Sequence, residues 1–108
     1  MQQTEDFLAG PRGAQIYYQY WRPEGDARAV IVIAHGAAEH SGRYDLFAKH
    51  FTGKGYVVAA LDHLGHGRSD GDRCVVKSFD DYTETLVSFR QQVSEDFSGL
   101  PMVLLGHS

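Results

Sequence analysis

Three short runs decide what this chain can fold into. Ala29–Ala34 (AVIVIA), Tyr56–Leu61 (YVVAAL) and Met102–Leu105 (MVLL) are apolar throughout and carry no polar alternation. Runs of that kind suit strands covered on both faces, the habit of parallel sheets. Between the first two, Tyr44, Phe47, Ala48 and Phe51 stand at helical spacing, with Gly53 and Gly55 to close the helix. Between the second and third, Phe79, Tyr82, Leu86, Phe89, Val93 and Phe97 fall three or four apart and make one apolar stripe. Ser78 with Asp81 resembles a capping box in front of it, and Gly99-Leu100-Pro101 ends it. Upstream, Ala14–Trp21 (AQIYYQYW) reads as a half-exposed strand followed by the turn Arg22–Asp26. The order strand, strand–helix–strand–helix–strand predicts an α/β fold with a mainly parallel sheet and flanking helices.

Composition narrows the function classes. The 108 residues hold ten Lys/Arg against fourteen Asp/Glu, a net charge of -4, which argues against a nucleic-acid surface. No apolar stretch approaches the roughly 20 residues that cross a bilayer, and the acidic start Met1–Asp6 does not resemble a signal peptide. The single cysteine, Cys74, has no internal disulfide partner, which fits a reducing compartment and predicts a cytoplasmic protein. The last residues, Leu104-Leu105-Gly106-His107-Ser108, read as a strand running into a turn. Domains seldom stop there. Residues 1–108 are therefore expected to be the N-terminal part of a single domain, with the remainder of the same polypeptide as partner.

The chemistry gathers at the ends of the strands, where ligands collect in open α/β sheets. The three strand-to-helix loops open with His35-Gly36, with Asp62 and with Gly106-His107-Ser108. A sharp turn carrying Gly-x-Ser can lift a hydroxyl above the sheet, as the first part of a Gly-x-Ser-x-Gly nucleophile elbow does. An HG-x turn after the first buried strand would aim a backbone N–H at the space above Ser108, as acyl transfer requires. On residues alone both segments read equally well as plain turns.

Taken together, HGAAEHSGRY, DHLGHGRSDG and LPMVLLGHS, in that order and spacing, resemble the α/β-hydrolase family and, within it, the monoacylglycerol lipases. The resemblance runs from about Ala14 to Ser108. It implies that Ser108 is the nucleophile and that Ala37 N–H is one oxyanion-hole donor. It further implies that Glu39 and Arg43 organise the polar end of the substrate pocket. A lipid ester would be the substrate, with transient membrane contact, a cap after the nucleophile and no cofactor. The family's acid and histidine lie downstream of the serine, so the 108 residues alone are expected to be inactive.

Neighbouring residues do not replace the missing partners. A serine hydroxyl needs a base within about 3 Å, and His107 should face the other side of its strand from Ser108. Asp62 is expected to bind loop backbone N–H groups, His35 to buttress its own turn, and Gly36, Gly106 and His107 to shape the site. His63-x-x-His66 and the pair His35 and His40 have spacings that zinc could use, but nothing completes a recognisable ligand set, and no metal is expected. Cys74 reads as a packing residue, and Arg68, Arg73 and Lys77 as a solvated loop face. Gly65-His66-Gly67 lacks the third glycine of a dinucleotide fingerprint. Other readings are a lysophospholipase, thioesterase or peptidase on the same scaffold, or a non-catalytic binding module. The module would leave the MVLL strand at an open sheet edge, an aggregation hazard.

Overall fold

The computed structural model describes residues 1–35, 40–71 and 79–106, with only the backbone of Phe79. Its strands are β1 (Gln2–Ala9), β2 (Gln15–Arg22), β3 (Ala29–Ala34), β4 (Tyr56–Leu61) and β5 (Met102–Gly106). They make one sheet in the order β1-β2-β4-β3-β5. The buried runs read from the sequence form its parallel part, with β3 parallel to both β4 and β5. β1 and β2 add two antiparallel pairings, so the sheet is mixed. The sequence reading contained no β1, because QQTEDFLA has no apolar alternation. A polar strand of this kind is what a protected sheet edge requires.

Two helices cover opposite faces. A 3₁₀ turn (Ser41–Tyr44) leads into α1 (Asp45–Thr52), while α2 spans Phe79–Asp96. On the α1 face, Ala48 packs with Trp21, Ile33, Val58 and Ala60, flanked by Phe47 and Phe51. On the α2 face, Phe89 and Val93 pack with Ile16, Tyr18, Tyr20, Val30 and Val57, flanked by Leu86 and Phe97. Leu86, Phe89, Val93 and Phe97 of the predicted stripe thus meet the sheet. Burying Phe89 or Val93, each 0% exposed, contributes about 1.5–3 kcal/mol.

Two strands depart from the expected exposure. β2 is not half exposed: Ile16 through Trp21 are all buried, because β1 and β4 flank the strand and both faces carry side chains into a core. β5, read as a covered run, exposes Val103 and Leu104 by 59% each and Leu105 by 39%. It is the outer strand and pairs with β3. Asp81, the proposed capping-box partner, gives its carboxylate to Arg12 in a bidentate pair at 2.8 and 3.2 Å. This ties the β1–β2 turn to the first turns of α2. Ser78 lies outside the described residues.

Candidate functional site

The parallel strands finish in one row. Ala34 pairs with Leu61 on one side and with Gly106 on the other. The chain therefore leaves the sheet at one level after β3, β4 and β5. The chain after β3 leads to α1 on one face and the chain after β4 to α2 on the other, the reversal at whose strand ends open α/β sheets bind ligands.

Asp62, the first residue after β4, organises this edge. It is 2% exposed. Its Oδ1 accepts from Ser41 N–H at 2.6 Å and its Oδ2 from Arg68 N–H at 2.9 Å. This is the backbone-binding arrangement read from the sequence. One carboxylate thereby fastens the segment after β3 to the loop after β4, with charge-assisted bonds that are stronger than neutral ones. The Asp-x-x-Gly-x-Gly-x-Ser pattern follows from the same clamp. Gly67 has φ +50°, and a Cβ there would sit 2.2 Å from Asp62 Oδ2. Only glycine lets the loop come that close. Ser69 Oγ donates to the Asp62 carbonyl at 2.5 Å and accepts from Tyr17 N–H at 2.8 Å. Gln19 Nε2 donates to Ser41 Oγ at 2.7 Å. The sequence reading assigned no role to Ser41, Ser69 or Gln19. Gln19 inside an otherwise apolar, aromatic run was the available sign of a polar partner.

Three histidines crowd against this loop. His35 and His66 are each 4% exposed. The His35 ring lies 4.4 Å from that of His63 and 5.1 Å from that of His66, between centroids. Tyr82 of α2 lies 5.2 Å from His63. His35, expected to buttress its own turn, reaches the neighbouring loop, where its Nε2 accepts from His63 N–H at 2.9 Å. Burial, followed by the neighbouring rings of His35 and His66, pushes His63 down to about 4 from 6.5. His63 is therefore neutral near pH 7. Among the described residues no group of three or more His, Cys, Asp or Glu is arranged to hold a metal ion. His35 Nε2 is already engaged, and the rings meet as packed edges.

The remaining candidates divide cleanly. Gly106 ends β5 beside Ala34, with open space where a Cβ would stand. Arg43 is exposed on the 3₁₀ turn, its N–H donating to the His40 carbonyl at 3.2 Å. Arg68 is exposed, with its guanidinium 5.2 Å from the Tyr17 ring and 3.5 Å from Glu5. Gly36, Ala37, Glu39, Arg73, Cys74, Lys77, His107 and Ser108 lie outside the described residues. No helix among the described residues is long and apolar enough to cross a membrane.

Known proteins share both sequence and shape with this chain. Human monoglyceride lipase is 41% identical over 94% of the chain and 33% of its own length. Monoacylglycerol lipase of Mycolicibacterium smegmatis is 42% identical over 97% of the chain and 38% of its length. A thermostable carboxyl esterase from Bacillus coagulans, solved with glycerol, superposes with a TM-score of 0.87 at 28% identity, over 99% of this chain and 36% of that one. The chain thus spans about a third of the length of the curated relatives it matches. The family described as serine aminopeptidase, S33 matches residues 25–108, a span that includes the Asp62 clamp and all three loop motifs. The chain belongs to that family and is a piece of α/β-hydrolase fold.

Proposed function

We propose that the polypeptide carrying this chain is a serine carboxylic-ester hydrolase that releases fatty acid and glycerol from monoacylglycerol. The observation that carries this reading is the 41% identity to human monoglyceride lipase over 94% of the chain. The clamp on Ser41 and Arg68 supports it, because it fixes the backbone on both flanks of the β3 and β4 loops.

In this reading Ser108 Oγ attacks the acyl carbonyl and its proton passes to a histidine outside residues 1–108. The oxyanion accepts hydrogen bonds from Ala37 N–H and from the amide after Ser108. The alcohol leaves with a proton returned by that histidine, and water then cleaves the acyl-enzyme by the same path in reverse. Glu39 and Arg43 organise the polar end of the substrate pocket. His35, Gly36, Asp62, Gly106 and His107 hold the shape around it. The chemistry needs no cofactor or metal. A lipid substrate brings brief contact with a membrane surface, in a protein of the cytoplasm.

The test is Ser108→Ala in the complete polypeptide, assayed for glycerol release from monoacylglycerol and for p-nitrophenol release from short esters. Loss of at least about 10⁴-fold in kcat with an unchanged circular dichroism spectrum is expected. Retained turnover would remove Ser108 from the mechanism. The family description favours one second reading, an aminopeptidase. Turnover of aminoacyl p-nitroanilides exceeding that of the esters would establish it instead.

A further inference from the structure

The reaction proposed above gives His63 and His66 no part. The hydrogen bonds of the three-histidine knot define where the protons sit. His35 Nε2 accepts from His63 N–H, so that nitrogen carries a lone pair and the ring is neutral. His66 Nδ1 lies 3.1 Å from the Leu64 carbonyl. A carbonyl only accepts, so Nδ1 of this ring carries a hydrogen. His63 Nδ1 and His66 Nε2 are buried with no hydrogen-bond partner. Among the described residues, the other titratable groups at the knot are Asp62 and Tyr82. Asp62 is committed to two backbone amides, and Tyr82 meets His63 and His66 through its ring.

We propose that His63 and His66 are positioning residues for the loop after β3, clasping the neutral His35 ring and so holding the backbone where it leaves that strand. This rests on the reading of Ala37 as an oxyanion donor. The peptide N–H of His63 sets where the His35 ring sits, and the two neighbouring rings set its tilt. None of the three needs to touch substrate. Their effect passes through the direction of one amide. A donor aimed slightly off loses more against the tetrahedral oxyanion than against the planar carbonyl, so the loss falls on kcat and spares KM.

Paired variants of the complete polypeptide test the clasp. His63→Ala keeps the peptide N–H but removes the ring, whereas His63→Phe restores the ring edge without the unpartnered Nδ1. His35→Gln keeps a side-chain oxygen able to accept from His63 N–H, and His35→Ala does not. We expect His63→Ala and His35→Ala each to lower kcat about tenfold, part of the 10²–10³ that one oxyanion donor is worth, with KM within about twofold. The Phe and Gln variants should recover most of that loss. Equal losses for Phe and Ala at position 63, or a change confined to KM, would overturn the clasp. Imidazole ¹⁵N spectra of the native protein at pH 7 give a readout independent of activity. His35 and His66 should both show the hydrogen on Nδ1, and a protonated His35 or one carrying its hydrogen on Nε2 would overturn the proposal. A native polypeptide that hydrolyses no ester would instead sink the hydrolase reading. One that hydrolyses esters while ring restoration fails would sink the clasp alone.

Discussion

The two flanks of this sheet are built to opposite rules. On the β1 side the outer strand is polar and mostly exposed, yet it is stapled down. Tyr17 OH donates to Glu5 at 2.6 Å, and Gln3 donates to Gln19 at 2.8 Å. Behind it, Gln19 donates to Ser41, Tyr17 N–H to Ser69 and Asp62 N–H to the Tyr17 carbonyl, so β2 is tied to both strand-end loops. On the β5 side the outer strand is apolar and exposed. Within residues 1–108, polar side chains thus staple one flank, while the other presents apolar strand surface of the kind that suits cover on both faces. Hydrogen bonds fix direction, whereas apolar contact fixes only proximity.

The largest expected contrast is between two glycines. Gly67→Ala drives a methyl into Asp62 at a positive φ and should cost about 3 kcal/mol or more, because two buried amides lose their carboxylate. Gly106→Ala meets nothing within 4 Å and should be neutral or stabilising by up to about 1 kcal/mol. Urea unfolding of the two variants measures the difference. Similar costs at both sites would erase the distinction between the flanks.

A smaller effect should appear with pH. His63 sits near 4 in the fold against 6.5 ordinarily. As pH falls, the unfolded chain binds the proton first. The stability due to the neutral ring is complete above pH 6.5, declines between 6.5 and 4, and changes no further below. With its partial exposure allowed for, the loss is about 2 kcal/mol. His63→Phe should flatten that slope in denaturation curves taken from pH 7 to 4, and an unaltered slope would place the titration elsewhere.

The smallest contrast concerns the edges themselves. An exposed apolar edge strand invites pairing with another copy. Sedimentation of the 108-residue chain should show self-association that Leu104→Lys weakens about tenfold, roughly 1.4 kcal/mol. Gln2→Lys on the opposite edge should leave it unchanged. Equal responses would mean that the edges do not differ in this respect.

What could be read before folding depended on whether a residue's role was periodic or pairwise. Val30, Val57, Phe89 and Val93 announce themselves by rhythm, and they fill the core. β1 has no such rhythm, because an outer strand has only one neighbour to satisfy. Asp62 was legible through its glycines, since Gly67 is small for the carboxylate's sake. Ser41 and Gln19 were not, for their bond spans 22 positions and leaves no local trace. The knot was half visible as His63-x-x-His66. Only the parallel register of β3 and β4 brings His35 against both rings.

The Asp62 clamp also bears on how the chain is assembled. Ser41 N–H finds its acceptor 21 positions later in the sequence, and that carboxylate finds its second donor only at Arg68. Synthesis proceeds from the N-terminus. A nascent chain that has released β3 but not yet Asp62 therefore leaves Ser41 N–H without this acceptor, and the clamp is completed only by residues translated later.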